Sequence, residues 1–287
     1  MKKVQDKIIL GIKGFFIGVA NIIPGVSGGT MAVSFGIYEE LINIASNFFH
    51  NFKKNVAFVM PIGIGALLAI ALLSNIISVC LDKYKVATPL LFVGLIMGGF
   101  PIIFKKIGKK IVKPQNMLCF LITLVFMIFI YMGVKNNTDV NFNTMNIFNY
   151  IILFIVGVVG AITMVVPGIS GSFVLMLIGY YKPIIETISK LTNFNNIYEF
   201  SSYFSNIMIL AVFGIGVIVG IVLVSKLIKY CLKHYEKQTY ASIVAFVLSS
   251  IVLIIYPLFN FKVSVMELVI GIILLLIGSL ITYKLEK

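Results

Sequence analysis

The sequence contains the pattern Pro-Gly-x-Ser-Gly twice, and each copy interrupts a long apolar segment. The first copy begins at Pro24 and the second at Pro167, an offset of 143 residues. Proline donates no backbone hydrogen bond and glycine tolerates unusual φ values, so each copy is expected to break or end a helix. The fold must therefore protect the backbone groups that are freed at two separate places in apolar surroundings.

Ten apolar stretches predict a membrane protein built from helices. Hydrophobic residues make up 60% of the 287 residues and the mean hydropathy is +1.08, well above the values of soluble domains. Only helices satisfy their own backbone in lipid over such continuously apolar segments, so we expect an all-α polytopic membrane protein without a soluble domain. The stretches are about 8–23, 29–45, 56–80, 87–104, 117–134, 148–166, 171–189, 206–230, 239–257 and 264–283.

The two copies of the pattern belong to a longer repeat. Beyond the pattern itself, identical residues at the same offset include Gly14–Gly157, Gly36–Gly179 and Tyr38–Tyr181, and after an eight-residue shift Gly65–Gly216. An ordered series of this length is not a chance match. We therefore predict one membrane domain made of two homologous repeats, 1–139 and 140–287, with five apolar segments in each.

The placement of the lysines predicts that the second repeat is inverted relative to the first. An odd number of crossings per repeat reverses the direction of the second, and cytoplasmic loops carry excess positive charge. With the N-terminus inside, 17 of the 23 lysines lie at or near the cytoplasmic face, and the chain has no arginine. The net charge of +13 then indicates anionic lipid head groups, not nucleic acid, as the partner. We expect both termini in the cytoplasm.

Each pattern also supplies the components of an anion site. Ser27 and Ser170 stand where they would cap the helical arm that follows, and the first N–H groups of such an arm have no intrahelical partner. The helix dipole favours phosphate or carboxylate at this end. Two helix ends of this kind meeting near the midplane of an inverted repeat are typical of secondary transporters. The predicted phosphate-binding residues of the two patterns are Ser27, Gly28, Gly29, Thr30, Ser170, Gly171 and Ser172, and the helix-break residues are Pro24, Gly25, Pro167 and Gly168.

Two questions about the breaks stay open at this level. The segments around each pattern fit either a re-entrant hairpin or a broken pair of full spans, because both return the chain to the same side. Each break also fits a simple packing kink, in which glycine and serine allow close helix contact.

Few ionisable residues fall inside the apolar stretches. Lys13 either faces the cavity as a cationic partner for an anionic head group or extends its ammonium to the cytoplasmic surface. Glu39 and Glu40 follow about three turns after the first break. One of them could bind a coupling proton or cation, or both could lie at the aqueous end of the segment.

A membrane enzyme acting on a lipid phosphate is the main competing class. Such chemistry needs a positioned acid or base, a nucleophile, or carboxylates that hold a divalent metal. The three aspartates lie outside the apolar cores, and no histidine lies inside them. We therefore predict a transporter, with no catalytic residue, metal site or cofactor, and with coupling to a proton or sodium gradient left open.

The blocks GFFIGVANIIPGVSGGTMAVSFGIYEELI and GAITMVVPGISGSFVLMLIGYYKPII resemble the PopT-type polyprenyl-phosphate (undecaprenyl phosphate) transporters, and the resemblance covers essentially the whole chain. It implies translocation of undecaprenyl phosphate from the outer to the cytoplasmic leaflet of a bacterial plasma membrane, which recycles the carrier lipid of cell-envelope synthesis. Transport of another anionic phospholipid-like substrate, or a membrane-embedded lipid-phosphate enzyme, is the alternative.

The resemblance also implies which residues act. The matching positions are Pro24 through Thr30, Pro167 through Ser172, Lys13, and Tyr38 with Glu39. The second repeat departs from the first because Lys182 stands where an acidic residue is expected after the tyrosine. Any ion-coupling role therefore falls on Glu39, together with Tyr38.

Overall fold

The structure, a computed structural model, describes residues 2–22, 26–108, 113–132, 140, 142, 146–192, 200–256, 258 and 264–286. All regular structure in these residues is helical, which confirms the all-α prediction for them. Pro24 and Gly25 lie outside the described residues, and so does residue 139 at the predicted junction of the two repeats.

Thirteen helices are found in the described part of the chain. In chain order they are α1 Lys2–Ile22, α2 Gly28–Ser34, α3 Tyr38–Ser46, α4 Phe52–Lys83, α5 Ala87–Met97, α6 Phe100–Ile107, α7 Pro114–Met132, α8 Ile147–Val165, α9 Gly171–Leu177, α10 Tyr181–Thr192, α11 Phe200–His234, α12 Glu236–Ile255 and α13 Val265–Glu286. Each of the ten apolar stretches therefore contains helix, and three of them contain two helices.

A glycine divides each helical arm that follows a Pro-Gly-x-Ser-Gly pattern. Gly36 follows α2 with a φ of 69°, and Gly179 follows α9 with a φ of 76°. At both places the glycine N–H bonds a carbonyl three residues back and the next N–H bonds one five residues back. This is the Schellman ending, in which glycine takes the left-handed conformation without strain. The two arms are therefore seven residues long, where the sequence predicted continuous segments.

Five helices in the described residues are long and apolar enough to cross a membrane. Two shorter apolar helices, Ala87–Met97 and Pro114–Ile130, accompany them. The five candidate spans are Phe52–Leu73, Ile147–Val165, Tyr203–His234, Glu236–Ile255 and Val265–Leu285. A multi-pass membrane protein follows from these spans.

α1 packs along α4, and α8 along α11, through glycines at corresponding positions of the two repeats. A β-carbon built on Gly14 would lie 2.1 Å from a carbonyl oxygen of α4, and one on Gly157 would lie 2.4 Å from one of α11. On the partner helices, β-carbons on Gly65 and Gly216 would lie 2.0 and 2.3 Å from carbonyl oxygens of α1 and α8. No side chain fits at these distances, so the backbones are in direct contact, as small residues allow between membrane helices.

The short helix α2 lies in the middle of the molecule and contacts α1, α3, α5, α6 and α8. Met31 and Phe35, at its centre and its C-terminal end, are almost completely buried. Ser34 donates a hydrogen bond of 3.3 Å to the carbonyl oxygen of Ile96 in α5. The first residues after the first pattern are thus fixed on several sides by the surrounding helices.

Candidate functional site

A cavity of about 740 Å³ is lined by residues of both Pro-Gly-x-Ser-Gly patterns. Six of the seven predicted phosphate-binding residues of the patterns border it, namely Ser27, Gly28, Gly29, Ser170, Gly171 and Ser172. Most of the remaining wall consists of aliphatic and aromatic side chains from α1, α3, α4, α8 and α11. The cavity thus has polar groups where the two breaks meet and apolar walls elsewhere.

In the first pattern, Ser27 occupies the N-cap position of α2, as predicted. Its backbone is extended, with φ −106° and ψ 131°, and its carbonyl accepts the first helical hydrogen bond from the Met31 N–H at 3.2 Å. The hydroxyl makes no capping bond. It therefore borders the cavity without the local partner that an N-cap serine usually has.

In the second pattern, Ser170 occupies the N-cap position of α9, again as predicted. Its carbonyl accepts from the Val174 N–H at 3.1 Å, and its hydroxyl lies 3.0 Å from the hydroxyl of Ser172. Only one of two paired hydroxyls donates to the other, so the pair keeps one proton for a further acceptor. Two hydroxyls and the first N–H groups of α9 are thus concentrated at one edge of the cavity.

Two hydrogen bonds join the arm after the first pattern to the region of the second pattern, across more than 120 residues of sequence. The Gly168 N–H donates to the Thr30 hydroxyl at 2.7 Å, and the Tyr38 hydroxyl donates to the Val165 carbonyl at 3.0 Å. The contact is also steric, because a β-carbon on Gly29 would lie 3.5 Å from the Cα atom of Pro167. The helix breaks therefore meet in space.

Asn21 is a cavity residue that the sequence analysis did not identify. Its side-chain oxygen accepts a hydrogen bond of 3.2 Å from the Gly28 N–H, and it borders the cavity beside that glycine. This bond fixes the orientation of the amide and leaves the NH₂ group as a donor on the cavity side. The available signal was an amide within an apolar segment, three residues before the proline.

Thr30 and Lys13 do not line the cavity. Thr30 is completely buried, and its hydroxyl accepts the bond from Gly168. The Lys13 ammonium is also buried, and it donates at 2.9 Å to the Phe35 carbonyl at the C-terminal end of α2. A positive charge at that end stabilises the helix dipole. Both residues fix α2, Thr30 in its first turn and Lys13 at its C-terminal end.

Glu39, in the first turn of α3, belongs to a polar cluster away from the cavity. Its carboxylate lies 2.9 Å from the Lys106 ammonium of α6 and accepts a hydrogen bond from the Tyr240 hydroxyl of α12. Partial burial raises the pKa of this carboxyl, but the bonds from Tyr240 and Lys106 and the lysine charge outweigh it, so the pKa lies below its ordinary value. The neighbouring Glu40 is exposed. Tyr38, by contrast, is buried and borders the cavity.

The described residues contain no group of three or more histidine, cysteine, aspartate or glutamate side chains that could hold a metal ion. The chemistry that the cavity can offer is hydrogen-bond donation from hydroxyls, one amide and backbone N–H groups. Such a donor set suits the oxygens of a phosphate, and the apolar walls suit a hydrocarbon chain attached to it.

The fold and the cavity define a class of protein, a multi-pass helical membrane protein with a cavity lined by residues of two helix breaks that are distant in the chain. The chain belongs to the undecaprenyl phosphate translocase-like family, whose model matches residues 17–271. The resemblance noted from the two sequence blocks is thereby confirmed.

Two curated relatives carry the same name. The chain is 31% identical over 286 residues to a polyprenyl-phosphate transporter of Staphylococcus aureus (strain NCTC 8325 / PS 47), covering 99% of this chain and 97% of that protein. It is 26% identical over 251 residues to a polyprenyl-phosphate transporter of Vibrio cholerae serotype O1, covering 83% and 74% respectively. No solved structure matches the chain.

Proposed function

We propose that this protein translocates polyprenyl phosphate, with undecaprenyl phosphate as the physiological substrate, from the outer to the cytoplasmic leaflet of a bacterial plasma membrane. This activity returns the carrier lipid to the side where cell-envelope precursors are assembled. The observation that carries the proposal is the meeting of both Pro-Gly-x-Ser-Gly patterns at one cavity with apolar walls. The family and the names of the two relatives agree with it.

The head group is bound by donors from both breaks. Ser27, Ser170 and Ser172 supply hydroxyls, and the first residues of α2 and α9 supply N–H groups. Because each arm has only seven residues, its dipole is weaker than that of a full-length helix, and direct hydrogen bonds carry most of the binding. Two breaks together provide enough donors for the three oxygens of a phosphate monoester.

The tail needs no dedicated tunnel. A polyprenyl chain is as apolar as the bilayer, so it can remain in lipid while only the head group and the nearest prenyl units enter the cavity. Aliphatic residues such as Ile17, Ile62 and Ile218 line the wall where those units would lie. The protein therefore has to shield one phosphate during its passage, and a continuous aqueous pore is unnecessary.

The inverted repeat is part of the proposal. The glycine contacts of α1 with α4 recur in α8 with α11, and the Schellman endings at Gly36 and Gly179 recur at the same offset. Two repeats of opposite orientation would bring the breaks into the membrane as re-entrant hairpins from opposite faces. Both termini would then be cytoplasmic, as the lysine distribution favours.

Lys13 and Thr30 act on the site indirectly in this proposal. Lys13 holds the C-terminal end of α2, and Thr30 ties its first turn to Gly168 of the second break. The N–H groups and the hydroxyl at the start of α2 are thereby kept at fixed positions. Preorganised donors of this kind bind an anion with less loss of conformational entropy.

Coupling to a proton or sodium gradient is assigned to Glu39, with Tyr38 beside it on α3. Glu39 contacts helices of both repeats, because Lys106 belongs to the first and Tyr240 to the second. Binding of a cation to the carboxylate would weaken its bond to Lys106 and loosen α3 from α6. The start of α3 is connected to the cavity through Tyr38.

The test uses purified protein in vesicles that contain undecaprenyl phosphate. A membrane-impermeant phosphatase added outside reports the fraction of head groups in the outer leaflet, and transport lowers or replenishes that fraction with time. We expect the double variant Ser27→Ala with Ser170→Ala to move the lipid at least about tenfold more slowly, because two donors to a charged group are lost. Ser249→Ala is the matched control, since this buried hydroxyl bonds only within α12.

Two results would contradict the proposal. Unchanged transport in the double variant would show that the two breaks do not bind the head group. Equally fast movement of phosphatidic acid by the wild-type protein would show that the cavity does not select a polyprenyl chain. The second result would leave the phosphate site intact and replace the substrate with another anionic lipid.

A further inference from the structure

One buried hydroxyl at the cavity has no partner in the protein. Ser225, in α11, is 0% exposed and borders the cavity, and its hydroxyl makes no hydrogen bond among the described residues. A buried polar atom without a partner is unfavourable and uncommon in native structures. We therefore expect the partner of this hydroxyl to be a group that is not part of the protein.

Ser225 does not make the intrahelical hydrogen bond that a serine in a helix usually makes. Hydroxyls in helices often donate to the carbonyl four residues back. In this chain Thr123, Thr187, Thr239 and Ser249 all do so at 2.8 Å. Ser225 sits in a regular helix with the same option and remains unpaired.

The packing of α11 on α8 puts Ser225 beside the second helix break. Gly216 contacts Phe154 and Gly220 contacts Ala161, so the two helices run in the same direction. Ser225 lies five residues beyond Gly220, about 7.5 Å further along the axis. That is the level at which α8 ends, immediately before the break that carries Ser170.

The cavity-facing side of α11 is otherwise apolar. Its lining residues are spaced by three and four positions, as expected for one helix face, and they are Ile218, Ile221, Val222 and Ser225. Ser225 is thus the polar end of an apolar stripe that faces both patterns. A serine hydroxyl can turn among three staggered positions about its Cα–Cβ bond, so a small rotation is enough to aim it at a ligand in the cavity.

The structure assigns Ser225 as a further head-group ligand, a hydroxyl from α11 that donates to a phosphate oxygen between the two helix breaks. This assignment rests on the proposed function and adds a third wall to the site. The free protein leaves the hydroxyl unpaired because its acceptor arrives with the substrate. Ser225 lies outside both Pro-Gly-x-Ser-Gly patterns, in α11 and more than fifty residues after the second pattern.

The chain supplies a matched control for the test. Thr282, in α13, is the other buried hydroxyl without a partner in the described residues, and it does not line the cavity. Both Ser225→Ala and Thr282→Val remove an unpaired buried hydroxyl. They differ in whether the residue lines the cavity.

Binding of undecaprenyl phosphate is measured on the purified full-length variants in detergent, together with the thermal midpoint with and without lipid. We expect Ser225→Ala to bind about tenfold more weakly, as loss of one hydrogen bond to a charged group implies. Its thermal midpoint without lipid should not fall, and its rise on adding lipid should be smaller than in wild type. Thr282→Val should match wild-type binding, and Ser225→Thr, which keeps the hydroxyl, should bind within about threefold of wild type.

The outcomes separate this inference from the function on which it rests. Wild-type affinity in Ser225→Ala, while the Ser27 and Ser170 variant is impaired, would overturn the role of Ser225 and leave the site standing. A lowered midpoint without lipid and unchanged affinity would also overturn it, because the hydroxyl would then be structural. Failure of the wild-type protein to bind undecaprenyl phosphate would overturn both proposals.

Discussion

The hydrogen bond between Thr30 and Gly168 offers the most direct perturbation of the contact between the two breaks. The Thr30 hydroxyl accepts from the Gly168 N–H at 2.7 Å, and both residues are buried. Thr30→Val keeps the shape of the side chain and removes the acceptor, so no void is created. The backbone N–H then stays buried without a partner, which costs about 1–3 kcal/mol. We expect the free energy of unfolding to fall by that amount.

The measurement is denaturant or thermal unfolding of the purified protein in detergent, with two comparison variants. Thr187 is also buried, but its hydroxyl donates to the Pro183 carbonyl of its own helix and holds no backbone N–H. We expect Thr187→Val to change stability by about 0.5 kcal/mol or less, because that carbonyl keeps its helical partner. Thr30→Ser keeps the acceptor and loses one methyl group, for which about 0.5–1.5 kcal/mol is expected.

The comparison between the two valine variants tests whether the Thr30 hydroxyl satisfies the buried Gly168 N–H. Equal stability of Thr30→Val and Thr187→Val would refute the view that this bond satisfies a backbone group freed by the second break. Transport adds a second criterion, since loss of the link should slow translocation beyond what the stability change explains. A Thr30→Val protein that is destabilised and yet transports at the wild-type rate would show that the link stabilises the fold without organising the site.

Further substitutions test the glycine ending of α2 and the role of Glu39. Gly36→Ala should lower the free energy of unfolding by about 1–2 kcal/mol, because Gly36 has a φ of 69°. Gly63→Ala is the control: a β-carbon on this helical glycine would meet open space, so the variant should be neutral or stabilised by up to about 1 kcal/mol. Glu39→Gln should abolish any dependence of transport on an imposed ion gradient in vesicles, whereas unchanged gradient dependence would exclude Glu39 as the coupling residue. Because Lys106 and Tyr240 lower the pKa of Glu39, their stabilisation is present above the ordinary carboxyl pKa and lost as the pH falls through the lowered value. The stabilisation from these two bonds should not exceed about 0.5 kcal/mol at this half-exposed position, and it should decrease further with added salt.

The sequence predicts the parts of this protein that depend on local chemistry. Helices follow from continuous apolar stretches, and the N-cap positions of Ser27 and Ser170 follow from a proline-glycine break ahead of each. The helix ends at Gly36 and Gly179 can also be predicted from the sequence, because matched glycines inside apolar arms are a local signal for a helix end. These features need only the neighbouring few residues.

The parts that could not be predicted are contacts between residues far apart in the chain. The position of Thr30 after Ser27 predicts a phosphate ligand, whereas in the structure its hydroxyl accepts from the Gly168 N–H, 138 residues away. The sequence predicts Lys13 to face either the cavity or the surface, whereas its ammonium donates to the Phe35 carbonyl, 22 residues away. A ligand role for Ser225 does not follow from the sequence, because a serine in an apolar helix usually bonds its own backbone.

The polar groups at the two helix breaks are satisfied in different ways. A helix break in lipid is tolerated only where its backbone groups find partners. Here the Gly28 N–H has Asn21, the Gly168 N–H has Thr30, and the Schellman endings and Lys13 cover the far ends of the arms. The Ser27 hydroxyl makes no capping bond, the Ser225 hydroxyl has no hydrogen bond among the described residues, and both residues border the cavity. In the proposed function, the oxygens of a lipid phosphate would accept hydrogen bonds from these remaining donors.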